Sequence, residues 1–297
     1  MKKKSRIALT LRTLGGLTTQ EIATAFLDKT EAMAARLTRA KKKIAAAGIP
    51  YRIPDAADLP ERLSSVLGVI YLIFNEGYAP HSGDMPTRIS LSDEAIRLAR
   101  MLRSLMPDEP EIGGLLALML LHDSRRLTRM DDDGNMVALE HQNRARWDQT
   151  RIAEGAALLE DVLPKGRIGA YQLQAAISAV HAQAKDWAAT DWPQIHALYR
   201  LLAEISPTAV VKVNWAVAAS HAVSVEAGLA MLDVVNEDGA LERYQPYFAA
   251  RADLLARSNR VNDALSCYEK AIALSSNASE KRFLERKRDA TAQGRTN

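Results

Sequence analysis

Apolar residues recur at helical spacing in nearly every segment from Leu59 onward, and this periodicity limits the possible folds more than any other feature. Aromatic residues make up only 5% of the chain while alanine is abundant, which favours closely packed helices over sheets. A strand-like run, Met136–Leu139, follows an Asp-Gly turn but is too short to form a sheet alone. The sequence therefore predicts an all-α protein.

Prolines and breaks in the periodicity set the expected helix ends. Pro60, Pro110 and Pro193 each fall at the start of a periodic segment, where proline costs a helix little. We expect helices near Pro60–Tyr78, Ser92–Met106, Pro110–Arg126, Trp147–Leu163, Tyr171–Ala184, Pro193–Ile205, Ala209–Ala222, Val225–Val235, Tyr244–Ser258, Asn262–Leu274 and Ser279–Gln293.

The last of these helices carry the pattern of a helical repeat. Ala264, Tyr268 and Ala271 have the small–aromatic–small spacing of a tetratricopeptide repeat. The match is partial, because Asn259 replaces the usual turn glycine and Ser276 the usual terminal proline. A tetratricopeptide-like array is favoured over an irregular bundle that uses alanine for close packing.

Charge separates the beginning of the chain from the rest. Residues 1–50 contain eleven Lys/Arg and three Asp/Glu, a balance of +8, so the whole-chain value of +3 leaves −5 for the remainder. Two prolines and a glycine in the segment Gly48–Pro54 end this basic head. We predict a head of residues 1–50, a linker of residues 51–58 and a helical body of residues 59–297. A basic head on a mildly acidic body is typical of a phosphate-binding module attached to something else.

Residue order within the head indicates two short helices joined by a turn and followed by a longer helix. Thr18 and Glu21 form a capping box, and Gly15-Gly16 before them stop the preceding helix. Asp28 or Thr30 can cap the next helix.

The long helix of the head has two different faces. One face carries the apolar residues Met33, Leu37, Ala40 and Ile44. The opposite face carries small residues first and cations later: Ala32, Ala35, Arg36, Arg39 and Lys43. A helix that inserts its first turns into a major groove, while later cations meet phosphates, has this distribution, which predicts a helix-turn-helix. Cations in the last turns also complement the helix dipole on an ordinary surface, and that alternative stays open.

These motifs resemble a known family. The run LTLRTLGGLTTQEIATAF, followed by RLTRAKKKI, is similar to region 4 of extracytoplasmic-function (ECF) sigma factors, which reads the −35 promoter element. The runs YLIFNEGY at Tyr71–Tyr78, LMLLHDSRR at Leu118–Arg126 and YQLQAAISAVHA at Tyr171–Ala182 resemble the long, tetratricopeptide-like extension of one ECF subgroup. The resemblance implies DNA contacts by Thr19, Thr30, Glu31, Ala32, Ala35, Arg36 and Arg39, and we also expect contacts by Thr18 and Lys43.

The resemblance also implies partners. A transcription initiation factor of this type binds double-stranded promoter DNA through the helix-turn-helix, and RNA polymerase core or a regulatory protein through the helical extension. An ECF sigma factor has a region 2 that melts the −10 element, whereas this chain enters region 4 within a few residues of Met1-Lys2-Lys3-Lys4. We therefore expect −35-type binding without complete sigma activity. A helical-repeat interaction module with a vestigial head is the first alternative.

Polar residues interrupt the apolar helices of the body at positions expected to be buried. They are Asn75, Glu76, His122, Asp123, Arg125, Arg126, Gln142, Arg144, Trp147, Tyr171, Gln174, His181, Asp191 and Trp192. As an enzyme, Glu76 and His122 would be acid and base; as a metal site, His122, His181 and Glu76 would converge on an ion. Neither arrangement has ligand spacing within one segment, so a paired polar network that orients helices is favoured, with a small-ligand pocket as the alternative. We expect no catalytic residue, metal or cofactor.

An acidic loop offers a second possible metal site. Around Gly134, Asp131, Asp133 and Glu140 fall on ligand positions of a calcium loop. The first position would be Arg129, a cation where the metal needs an anion. A plain Asp-Gly turn is therefore favoured.

The remaining signals concern the compartment. The single cysteine, Cys267, excludes disulfides within the chain and is typical of a reducing cytoplasm. The most apolar run, Val66–Phe74, is about half the length that spans a bilayer, and the lysine-rich start lacks the apolar core of a signal peptide. We expect a cytoplasmic protein without a membrane partner.

Overall fold

The computed structural model describes residues 3–13, 18–26, 28–47, 59–78, 89–237 and 239–294. Helices account for 77% of the chain, and the described residues form 14 α-helices and no strand. Within those ranges, β-type pairing is limited to an isolated bridge between Met130 and Met136. The all-α prediction is confirmed. No helix in the described ranges is long and apolar enough to cross a membrane.

The chain divides into two compact units, residues 1–106 and 107–297. The first unit contains α1 (Lys3–Thr13), α2 (Thr19–Ala25), α3 (Thr30–Ala47), α4 (Leu59–Tyr78) and α5 (Ile89–Leu105). The second contains α6 (Pro110–Asp123), α7 (Gln149–Val162), α8 (Ala170–Gln183), α9 (Trp192–Ile205), α10 (Ala209–Ala222), α11 (Val225–Val235), α12 (Gln245–Arg257), α13 (Val261–Leu274) and α14 (Ala278–Ala292). Short 3₁₀ turns lie at Arg126–Thr128, Leu139–His141, Arg144–Arg146 and Leu163–Lys165.

The predicted helix bounds agree with the observed ones to within three residues, because local side-chain chemistry marks the helix starts. Pro110 and Pro193 lie in the first turns of α6 and α9. Five starts, that of α9 among them, are marked by side chains that accept a backbone N–H of the first turn: Asp148, Asp191, Thr208, Ser224 and Asn277.

The first unit is held together by packing between helices distant in sequence. Ile7 and Leu11 of α1 are buried, and α1 packs against α4 as well as α3. A Cβ placed on Gly68 of α4 would lie 3.6 Å from Cδ1 of Ile7, an ordinary van der Waals contact. The division of the chain after Met106 therefore comes later than the predicted linker, residues 51–58, which lie outside the described residues.

The second unit is built around α6. Residues 112–121 of this helix are all buried, because α6 packs against both α7 and α8. A Cβ on Gly114 would lie 2.7 Å from the backbone nitrogen of Gln172 in α8. Glycine at this position therefore permits the close approach of the two helices.

Helices α12 and α13 form a tight antiparallel pair at the far end of this unit. Three residues, Ser258–Arg260, connect them, and Asn259 adopts the left-handed conformation with φ of 60°. Ala264 and Ala271 of α13 are completely buried against α12, and Tyr268 is 2% exposed. Small residues at these two positions let the helix backbones approach closely.

Candidate nucleic-acid interface and polar cluster

A reciprocal capping box begins α2, as predicted. The Glu21 carboxylate accepts the backbone N–H of Thr18 at 2.6 Å, and the Thr18 hydroxyl accepts the backbone N–H of Glu21 at 3.2 Å. Both groups satisfy donors that a helix start leaves unpaired. Gly15-Gly16, the predicted helix stop, lie outside the described residues.

The two faces of α3 differ in burial. Met33, Leu37 and Ala40 are at most 6% exposed, and Ile44 at the end of the apolar face is 38% exposed. The opposite face is exposed at Thr30, Glu31, Ala32, Ala35, Arg39 and Lys43, as are the neighbouring Lys41 and Lys42. Thr18 is exposed and Thr19 partly buried. The predicted contact residues therefore present a surface of small residues followed by cations.

Arg36 differs from the other cations of this surface. Its guanidinium forms a 2.7 Å ion pair with Asp28, and both side chains are about three-quarters buried. Asp28 also accepts the backbone N–H of Lys29 at 3.0 Å. Asp28 therefore holds Arg36 against the start of α3.

A buried carboxylate anchors the polar cluster of the second unit. The Asp123 side chain is 1% exposed and forms ion pairs with Arg126 at 2.8 Å and with Arg151 of α7. A buried carboxylate needs such partners because removal from water costs it several kcal/mol. This pairing fits the predicted network that orients helices.

Both ends of α8 are capped by side chains from other segments. The Glu111 carboxylate of α6 accepts the backbone N–H groups of Tyr171 and Gln172 at 3.1 Å each. At the other end, the Arg144 guanidinium donates to the carbonyls of His181 at 2.6 Å and Ala184 at 2.9 Å. An anion at the N-terminus and a cation at the C-terminus both stabilise the helix dipole. Burial raises the pKa of Glu111, and the backbone donors oppose this.

Trp147 lies beneath two arginines. The guanidinium carbons of Arg144 and Arg125 lie 5.2 Å and 5.9 Å from the centre of its ring system. Cations over an indole face are attracted by the ring quadrupole. Because Trp147 is only 3% exposed, its ring is held by the core, and the contact positions both guanidinium groups against it.

His122 is tied to α8 through Ser178. The Ser178 hydroxyl donates to the Gln174 carbonyl at 3.0 Å, so its lone pairs accept the Nε2–H of His122 at 3.1 Å. Burial lowers the pKa of His122 to about 3, with further lowering by Arg125 and Arg129. The imidazole is therefore neutral at physiological pH.

Four aromatic rings pack against one another beside this site, some stacked and others edge to face. Trp192 lies 4.1 Å from His221 and 4.8 Å from Trp187 between ring centres, and His181 lies 5.3 Å from Trp192. Burial lowers the pKa of His181 to about 3 and that of His221 to about 4, with Arg125 and Arg257, respectively, as the next causes. Sequence reasoning missed Trp187 and His221. The chain has only four tryptophans, so two of them five residues apart were the available signal for Trp187.

Of the other predicted polar residues, some hydrogen-bond within their own segment and others belong to the first unit. Gln142 donates to the Val137 carbonyl at 3.0 Å, and Asp191 caps α9 by accepting the backbone N–H of Gln194. Asn75 and Glu76 belong to α4 of the first unit, where Glu76 is 2% exposed. The fourteen predicted residues are therefore divided between the two units.

The acidic loop folds as an Asp-Gly turn. The Asp131 carboxylate accepts the backbone N–H groups of Asp133 at 3.1 Å and Asn135 at 2.7 Å. Gly134 adopts a φ of 73°, and Glu140 accepts from Lys287 of α14 at 3.1 Å. Among the residues described, no group of three or more His, Cys, Asp or Glu side chains could hold a metal ion.

A small cavity of about 120 Å³ opens beside the polar cluster. The polar and aromatic residues of its lining are His122, Arg125, Trp147, Ser178, His181 and Tyr199. Ser178 and His181 come from α8, Tyr199 from α9, and the others from the end of α6 and the segment that follows it. The cavity therefore lies where three helices and a loop meet.

A protein of Rhizobium meliloti (strain 1021), described as uncharacterized, is 44% identical to this chain over 287 residues. The matched region covers 97% of this chain and 67% of that protein. This chain belongs to the same family. A family model described as a family of unknown function (DUF6596) also matches residues 62–163. No solved structure matches the chain.

The match to the family model falls on a particular part of the site. Residues 62–163 include His122, Asp123, Arg125, Arg144 and Trp147, and they end one residue after α7. They do not include α1, α2 or α3. The family model therefore covers Leu121, His122, Arg125, Leu139 and Trp147 of the cavity lining and leaves out the exposed basic face of α3.

Proposed function

We propose that this chain is a transcription factor of the ECF sigma type, in which α2 and α3 form a helix-turn-helix that binds −35 promoter DNA. The observation that carries this proposal is the exposed face of α3, where small residues at Ala32 and Ala35 precede Arg39 and the cations of residues 41–43. Small side chains let a helix approach base edges closely, and the later cations meet phosphates.

The charge of the head supports the same proposal. Residues 1–50 carry a balance of +8, whereas the remainder carries −5. Phosphate contacts supply most of the affinity of DNA-binding proteins, so the cations belong on the binding module. Arg36 would exchange its ion pair with Asp28 for a contact with DNA, at the cost of breaking a partly buried pair.

The second unit is the proposed binding surface for RNA polymerase core or a regulatory protein. The α12–α13 pair supports a tetratricopeptide-like interpretation, because Ala264, Tyr268 and Ala271 are buried at the spacing of that repeat. Stacked helical pairs of this kind present extended surfaces to other proteins. A protein-interaction module with a vestigial head is the competing proposal, and DNA binding separates the two.

An enzymatic role for the polar cluster has less support. A general base works best with a pKa near the working pH, whereas the pKa of His122 and of His181 lies at about 3. Asp123 is engaged by Arg126 and Arg151. We therefore propose that this cluster orients helices and binds a ligand, and that it does not catalyse a reaction.

Fluorescence anisotropy with labelled duplex DNA tests the proposal. Arg39→Ala should weaken binding to all duplexes about equally, because a phosphate contact carries no sequence information. Arg97→Ala is the matched control, because Arg97 is an exposed arginine of the same unit that is paired with Glu94, and its loss changes net charge equally. Equal affinity of the wild-type chain and Arg39→Ala for every duplex would exclude the α3 face as the contact surface.

A further inference from the structure

The cavity of the second unit is lined by both polar and apolar side chains. Arg125, Trp147 and His181 are among the polar residues, and Leu121, Leu139, Ile177 and Ala182 are the apolar ones. Its volume of about 120 Å³ is close to that of cavities that hold a ring of six carbon atoms, roughly 150 Å³. Its lining therefore suits a small molecule with a polar end and a short apolar end.

The charge at this cavity is positive. None of the lining residues is acidic, and Arg125 is among them. Arg125 and Arg129 act on His122, and Arg125 and Arg144 act on His181; all of them lower the histidine pKa values. A positive field of this kind attracts an anionic group, and low dielectric surroundings strengthen the attraction.

Two ring nitrogens that belong to residues of the cavity lining are buried without a hydrogen-bond partner in the described part of the chain. They are Nε1 of Trp147 and Nδ1 of His181. Buried polar groups in native proteins are nearly always paired, so each such nitrogen requires an explanation. The indole N–H is a donor only, so its missing partner is a hydrogen-bond acceptor.

We propose that this cavity binds a small organic carboxylate of about four to eight non-hydrogen atoms, sized by comparison with cavities that hold benzene. The carboxylate faces the Arg125 guanidinium and accepts from the Trp147 indole N–H, and the short apolar tail contacts Leu121 and Ile177. A guanidinium fork matches the planar geometry of a carboxylate. This site is independent of the proposed DNA contacts, because it lies wholly within residues 107–297.

Calorimetric titration of the full chain tests the proposal with isobutyrate, isobutyramide and inorganic phosphate as probes. Isobutyrate should bind saturably at one site, and the amide, which has the same shape without the charge, at least about tenfold more weakly. Phosphate should also bind more weakly, because it has no tail for the apolar wall. No saturable binding of isobutyrate up to about 10 mM, or equal binding of the amide, would overturn the proposal.

Two variants locate the site, with one control. Arg125→Gln removes the cation, and Ala182→Leu fills the cavity; each should lower isobutyrate affinity at least about tenfold. Arg146→Gln is the control, because Arg146 is exposed and does not line the cavity. Circular dichroism checks that each variant is folded. Unchanged affinity in either folded variant would contradict this location for the ligand.

Discussion

His122, His181 and His221 show how the second unit determines the charge of single residues. Each is placed among helices where burial disfavours the imidazolium, and arginines add to the effect. For His221 the carboxylates of Asp253 and Glu140 oppose the shift, which is smaller there. For His181 and His221 this does not follow from sequence spacing, because the arginines that act on them come from other segments.

These histidines should make the second unit sensitive to acid. An unfolded chain protonates histidine near pH 6.5, whereas the pKa of folded His122 and His181 is about 3. Between these values the unfolded state binds more protons, so the free energy of unfolding should fall as pH falls, by up to about 1.4 kcal/mol per pH unit for each histidine. Urea titrations followed by tryptophan fluorescence measure this, since all four tryptophans lie in this unit.

A pair of variants assigns the effect. His122→Gln should flatten the pH dependence, because glutamine does not titrate. His141→Gln is the control, since the His141 side chain is 54% exposed. A free energy of unfolding that stays constant from pH 7 to about pH 5 would contradict the burial of these histidines.

At the scale of elements, helix bounds could be predicted well and helix packing less so. Prolines and apolar periodicity are local signals, so α9 was located from Pro193 and α10 from its helical periodicity. The caps of α8 could not be found this way, because Glu111 and Arg144 reach it from other segments. Trp187 lies between α8 and α9, and it meets His221 of α10 only through tertiary packing.

The α12–α13 pair gives the clearest prediction at this scale. Ala271→Leu should destabilise the second unit by about 1–3 kcal/mol, because a larger side chain cannot fit where Ala271 is completely buried. Ala273→Leu is the matched control on the exposed side of the same helix and should change stability little. Thermal melts of the two variants decide this. Equal melting temperatures would show that α12 and α13 do not pack closely at Ala271.

At the scale of the whole molecule, charge asymmetry was visible in the sequence but the division into units was not. The basic head could be counted from residues 1–50, whereas the packing of α1 on α4 depends on Ile7 and Gly68, which no local pattern connects. The chain divides into two compact units after Met106, and the predicted boundary at the end of the head stays a prediction. The proposed role places DNA binding in the first unit and binding of proteins and a small carboxylate in the second.

The salt dependence of DNA affinity tests the central proposal most directly. If Arg36, Arg39 and the three lysines at positions 41–43 neutralise about three to five phosphates, log affinity should fall with log salt concentration with a slope of roughly −3 to −5. Replacing Lys43 with Ala should make that slope shallower by about one. Affinity for duplex DNA that does not change with salt concentration would contradict the account.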